Sequence, residues 1–157
     1  MEAPAIGERY RGPEAPSGYL LRQAWNAFSG AIDAALREHG LTGARFAVLT
    51  VLSHDPGLSG ADLARACNTT PQAMNELVVT LERDGLVERR PHPTHGRILQ
   101  VWLTSEGGRR LETATPTVRA LEASVEAGLS RGEVSALKEW LVTAAKRLEQ
   151  ATTSTRR

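Results

Sequence analysis

The stretch SGADLARACNTTPQAMNELVVTLERDGLVERRP, residues 59–91, decides the fold. Ser59-Gly60-Ala61-Asp62 has the form of a capping box, with Asp62 in place of the usual Glu. Leu58 and Leu63 fall at the two positions of a hydrophobic staple. A short helix therefore starts after Ser59 and stops near Cys67, and Asn68-Thr69 makes the turn. Thr70 is an N-cap, and Pro71 takes the first helical position, where its missing N–H does no harm. In the helix that follows, residues 71–84, Met74, Leu77, Val78 and Leu81 form the i, i+3, i+4, i+7 set of a core-facing stripe. Gln72, Asn75, Glu76, Val79 and Arg83 lie on the opposite, exposed face, and Gly85 supplies the C-cap.

Outward from this segment the periodicity changes. Leu86-Val87-Glu88-Arg89-Arg90 and residues 98–103 are strand-like, the second alternating at Leu99, Val101 and Leu103. Between them PHPTHG, residues 91–96, is a loop no helix tolerates, so the segment 86–103 reads as a β-hairpin with Trp102 on its outer face, packed on the partner strand. Upstream, Leu21, Trp25, Phe28, Ile32 and Ala35 mark one face of a helix from about Tyr19 to Glu38, ended by Gly40. FAVLTVL, residues 46–52, repeats every three at Phe46, Leu49 and Leu52 and reads as helix rather than strand. Downstream, Thr104 caps a helix carried by Leu111, Ala114, Val118, Leu121 and Val125, with a kink expected at Pro116. Ser130 and Glu133 make a second capping box. Val134, Leu137, Leu141, Ala144 and Leu148 then alternate steps of three and four, as in a heptad.

A length of 157 residues suits one compact domain, and 41% hydrophobic with 24% charged residues is an ordinary globular composition. No apolar run approaches the roughly 18 residues of a membrane span. The opening MEAPAIGERYRGPEAPSG has acidic residues before its first arginine and no apolar core, unlike a secretory signal. The single cysteine, Cys67, cannot form an intramolecular disulfide, so nothing argues for an oxidising compartment and the cytoplasm is expected. No nucleophile–base constellation, phosphate loop or metal triad stands out, so neither an enzyme nor a cofactor is expected.

Helix, short turn, capped helix and hairpin together make a winged helix-turn-helix, whose second helix fits the DNA major groove. Gln72 and Asn75 carry both donor and acceptor, the requirement for bidentate pairing to adenine, and Ala73 and Val79 can meet a thymine methyl. Backbone N–H groups at the start of this helix suit a phosphate. Net charge is only +1, but residues 86–110 hold Arg89, Arg90, Arg97, Arg109 and Arg110 against Glu88 and Glu106, five minus two, or +3, with His92 and His95 in the loop. That is the footprint of a wing beside a recognition helix, and Arg97 is placed to enter a minor groove. The candidate DNA contacts are therefore Ser59, Thr69, Thr70, Gln72, Ala73, Asn75, Glu76, Val79, Arg83, Arg89, His92, His95 and Arg97.

Residues 19–149 resemble the multiple-antibiotic-resistance regulator (MarR) family of winged-helix repressors. The resemblance is carried by Gly40-Leu41-Thr42 with RFAVL (45–49), by LSGADLA (58–64), TPQAMNELV (70–78), LERDGLVERRP (81–91) and VWLTSEG (101–107). The family's usual wing reads Asp-Pro-x-Asp-Arg-Arg, whereas here residues 92–97 read HPTHGR, leaving Arg97 as the matching arginine and two histidines where carboxylates are usual. The resemblance implies an interlocked homodimer on a palindromic double-stranded DNA operator. It also implies a small aromatic or phenolic effector between dimerisation helices and DNA-binding domain, where Trp25, Phe28, His39 and Phe46 are candidate lining residues.

The expected fold class is mainly α with a small β-hairpin wing. A flexible lead-in (1–17) precedes a helical dimerisation region (18–40 and 105–150), which brackets the winged helix-turn-helix (41–104); the tail (151–157) frays. The expected function is a dimeric, ligand-responsive regulator, a repressor. The alternative is a winged-helix ligand- or protein-binding module without sequence-specific DNA binding, motivated by the acidic Glu76, Glu82 and Asp84 in or beside the recognition helix. The four aromatic candidates read more readily as plain core. Cys67 reads as a small core residue or as a redox switch, and His92 with His95 as phosphate contacts or half of a metal site.

Overall fold

The computed structural model describes residues 3–94 and 97–155. The chain divides into two compact units, Met1–Arg119 and Ala120–Arg157. In order, the elements are α1 (Ser17–Leu36), α2 (Gly43–His54), β1 (Leu58–Ser59), α3 (Gly60–Ala66), α4 (Pro71–Arg83), β2 (Val87–Pro91), β3 (Leu99–Leu103), α5 (Ser105–Val125) and α6 (Arg131–Thr155).

Local chemistry accounts for the boundaries. Past α1 the chain tightens into a 3-10 turn, Arg37–His39, and leaves it through Gly40 at φ +66°, a left-handed conformation that glycine adopts without steric cost. Thr42 caps α2 by accepting from the Arg45 N–H at 3.3 Å. Ser59 caps α3 by accepting from the Asp62 N–H at 3.2 Å, while its own hydroxyl donates to the Asp62 carboxylate at 2.6 Å. Thr70 caps α4 through the Ala73 N–H at 3.2 Å, with Pro71 at the first position as expected. Thr104 does two jobs: it accepts from the Gly107 N–H at 3.0 Å and donates to the Gly85 carbonyl at 2.7 Å, joining the ends of α4 and β3 to the start of α5. Gly107 has no substitute here, because a Cβ would lie 2.0 Å from the Leu86 carbonyl oxygen.

The hairpin forms with Val87 opposite Leu103, Arg89 opposite Val101 and Pro91 opposite Leu99. It gains a third strand that periodicity does not foresee: β1 pairs antiparallel with β3, Leu58 against Val101, giving the order β1-β3-β2. Two residues are too few to show an alternation, so the small hairpin expected from sequence is a three-stranded sheet. Trp102 does lie on the outer face, but it is held on both sides. Its ring packs over Gly57 so closely that a Cβ there would meet it at 2.6 Å, and the Arg90 guanidinium stacks on it at 5.1 Å.

The core of the first unit gathers Leu36, Leu41, Val48, Leu49 and Leu52 from the N-terminal part, Leu63 and Ala64 from α3, and Met74, Val78 and Leu81 from α4. Leu86, Val87, Val101, Ala114 and Val118 complete it from the turn after α4, the sheet and α5. The lead-in is not featureless: a 3-10 turn at Arg9–Arg11 is tied to α1, with Arg11 Nε donating to Gln23 Oε1 at 2.9 Å. Helix α5 passes through Pro116 without interruption. In the second unit Ser130 and Glu133 form the expected reciprocal box, the Ser130 N–H donating to Glu133 Oε2 at 2.8 Å. Helix α6 continues to Thr155, through residues expected as a frayed tail.

Candidate nucleic-acid interface

The turn between α3 and α4 is built by backbone. The Thr69 N–H donates to the Ala64 carbonyl at 2.9 Å, and Asn68 takes φ +50°, a conformation asparagine tolerates better than most residues. With Met74, Val78 and Leu81 buried, the opposite side of α4 is forced outward: Gln72, Ala73, Asn75, Glu76, Val79 and Arg83 are all exposed, as the helical period requires. Thr69 and Thr70 are exposed at its N-terminal end, and Ser59 is half-buried with its hydroxyl engaged by Asp62.

The two amides on this face are not equivalent. Gln72 Nε2 donates to Glu76 Oε1 at 3.4 Å, one turn along the helix. Asn75 Oδ1 accepts from the Arg89 guanidinium at 3.1 Å. Arg89 comes from β2 and also approaches Glu82 Oε2 at 3.8 Å. It therefore lies across the face of α4 rather than reaching outward.

Most of the basic residues counted over 86–110 are engaged in the same way. Arg90 pairs with Glu88; Arg109 and Arg110 share Glu106, at 2.6 and 3.0 Å, and hold its carboxyl below the usual carboxylate range, Arg109 foremost. Among the described residues, Arg97 is the arginine of residues 86–110 with no acidic neighbour, and it is exposed. The positive count is real, but its outward share is concentrated at the loop. There the His92 N–H donates to the Ile98 carbonyl at 2.8 Å, and His92 Nδ1 accepts from the Thr94 N–H at 3.1 Å, which leaves the proton of a neutral ring on Nε2. His95 lies outside the described residues.

A pair that no spacing rule announces ties the end of α4 to the start of α2. Arg45, at the start of α2, forms an ion pair with Asp84, just past α4, and its Nη1 donates to the Gly40 carbonyl at 3.1 Å. Arg45, with help from Arg83, holds the Asp84 carboxyl below its ordinary range. Asp62 is held low too, first by the Ser59 hydroxyl and then by Arg65.

The four aromatic candidates separate. Phe46 packs against the core; His39 Nε2 meets Thr117 Oγ1 at 3.0 Å, and its carbonyl accepts from Arg110 at 2.9 Å. Phe28 is half-buried, and Trp25 stands 64% exposed, which excludes a core role within one chain. Cys67 packs half-buried against the core, and burial pushes its thiol pKa up, away from reactivity. Among the described residues no three His, Cys, Asp or Glu side chains gather as a metal site, and no helix is long and apolar enough to cross a membrane.

A MarR-family model matches residues 39–98, the span from the end of α1 to the wing. The HTH-type transcriptional repressor Rv2887 of Mycobacterium tuberculosis is 40% identical over 128 residues, covering 82% of this chain and 92% of the relative. This chain belongs to the MarR family. Its fold agrees with the crystal structure of the M. tuberculosis MarR-family protein Rv2887 in complex with p-aminosalicylic acid, at a TM-score of 0.67 and 37% identity over 83% of this chain and 99% of that one. It agrees equally with the complex of Rv2887 with DNA, at 0.67 and 38% identity over 83% and 98%. Within the MarR fold, α3 and α4 are the helix-turn-helix, and β2 and β3 are the wing.

Proposed function

We propose that this MarR-family chain is a ligand-responsive transcriptional repressor acting as a homodimer on a palindromic operator. Helix α4 enters the major groove, and the wing 86–103 lies along the minor groove. The observation that carries this reading is the outward face of α4. A helix buried on one side presents Gln72 and Asn75 on the other, beside a loop whose exposed arginine, Arg97, has no acidic neighbour among the described residues. Base edges are read by such neutral groups, while charged contacts to phosphate set the register. Helix α6 supports a dimer, since Trp140, Leu141, Val142 and Leu148 are 41–66% exposed. The effector is a small aromatic or phenolic anion, by similarity to the relative solved with salicylic and p-aminosalicylic acids. The protein works in the cytoplasm and catalyses no reaction.

A second reading has one observation in its favour. Of the three arginines of the wing, Arg89 lies near Glu82 and Arg90 pairs with Glu88, so two of them face a carboxylate of the same chain, which suits a protein- or ligand-binding module. Selection from a random duplex library at two salt concentrations separates the two. An enriched palindrome with half-sites about one turn apart supports the repressor. Weak, sequence-independent, salt-sensitive retention supports the module.

A further inference from the structure

We infer that Arg89 is not a phosphate contact but the residue that sets the base preference of Asn75, by holding its amide in one orientation. The inference rests on the reading of α4 as a base-reading helix. Strand register places Arg89 opposite Val101 and two residues from Val87, on the sheet face where both valines are buried. Its side chain is only 23% exposed, and it spans α4 from Asn75 Oδ1 at 3.1 Å to the Glu82 carboxylate at 3.8 Å. Asn75 and Glu82 are two turns apart on the same face, so one planar fork reaches both.

Chemistry leaves the amide a single orientation. A guanidinium has five donors and no acceptor, so only the oxygen of Asn75 can face it. Turning the amide over would set its NH2 against another donor and lose the bond. A solvated asparagine exchanges its two orientations and meets a donor or an acceptor on a base edge equally well. Held by Arg89, Asn75 has one oxygen lone pair occupied and its NH2 directed away from the guanidinium. It then reads an acceptor: a purine N7, a guanine O6 or a thymine O4. The orientation with its oxygen outward, suited to the cytosine N4 donor, is removed. Arg89 touches no base and acts through Asn75; it is a positioning residue.

The test uses the full chain and the duplex enriched from a random library by the unaltered protein. Affinities are measured for that duplex and for every single-base variant of one half-site, at several salt concentrations. The proteins are the unaltered chain, Arg89→Met, Arg89→Gln, Asn75→Ala and the Arg89→Met/Asn75→Ala double variant. At one base step the unaltered protein should show a preference of roughly 5- to 150-fold, the range of one good amide contact. Arg89→Met should bring that preference near unity, leave the other steps and the salt slope unchanged, and add nothing at that step in the Asn75→Ala background. Arg89→Gln keeps part of the stem but offers both a donor and an acceptor, so it accommodates either orientation of the amide and should lose the same preference; it decides the matter if Arg89→Met does not fold. Equal weakening on all sequences, with a salt slope shallower by about one unit, would make Arg89 a phosphate contact and overturn the assignment. Full discrimination retained in both variants would show that Asn75 reads unaided and overturn it as well. If the unaltered protein enriches no sequence, the base-reading role of α4 fails, and the role of Arg89 fails with it.

Discussion

Helices α4 and α6 carry the same kind of apolar stripe and meet opposite fates. In α4, Met74, Val78 and Leu81 are at most 1% exposed, covered by α3, β2 and the rest of the core of the first unit. In α6, Trp140, Leu141, Val142 and Leu148 are 41–66% exposed, and among the described residues of the helix none is buried. The difference teaches what periodicity does and does not contain. A stripe at helical spacing says that a face needs covering; it does not say whether the same chain or another one covers it. Trp25 of α1, at 64% exposure, belongs with α6 in this respect.

The largest expected effect tests the covered helix. Leu81→Ala removes a side chain with no exposed surface and should cost about 2–5 kcal/mol, transfer plus cavity, in denaturant unfolding. A loss of a few tenths would mean that α4 packs no more firmly than α6. Next comes the uncovered helix: Leu141→Glu should leave the fold intact by circular dichroism and halve the mass seen in sedimentation, because the stripe then carries a charge where a partner must pack. An unchanged mass would mean that α6 is not the dimer face, and the contrast with α4 would lose its meaning. On the DNA side, Arg97→Ala should weaken operator binding and make its salt slope shallower by about one unit, whereas Arg90→Ala, already paired with Glu88, should change that slope little. Equal effects would erase the distinction between paired and outward arginines.

The smallest effect concerns acid. Asp84 titrates below its ordinary value because Arg45, then Arg83, favours its ionised form. Its stabilising contribution is fully present above the unfolded carboxylate value of about 3.9 and is lost as pH falls through the lower folded value. Asp84→Asn should therefore flatten the fall in thermal midpoint below about pH 4 and leave its pH dependence near neutrality unchanged. Glu133, at the start of α6, is also held low, but by Ser130 three residues away. Glu133→Gln gives a comparison in which the partner is local to the helix. An acid limb unchanged in Asp84→Asn would show that the pair with Arg45 does not form in solution.

Much of the molecule was legible in its residues because the signals act within one turn of helix or one strand repeat. Ser59 with Asp62, Thr70 before Pro71, and Ser130 with Glu133 announce their helices through bonds no more than three residues long, and all are present. The exposed set on α4 follows from the burial of its other face. The resemblance to the MarR family, carried by contiguous stretches, names the fold without needing contacts at all. The rest depends on which distant residues the packed elements bring together. Arg45 and Asp84 are 39 positions apart, and Arg89 meets Asn75 across 14. The two residues of β1 become a strand only because β3 lies beside them. Composition counts the arginines of the wing, but whether each faces a carboxylate or solvent is set by side-chain direction and strand register. Periodicity and caps are properties of the chain close to itself, so the sequence alone determined the helices and their faces. Pairing is a property of the folded space between elements, and only the tertiary structure decided what Asn75, Arg45 and the wing arginines hold.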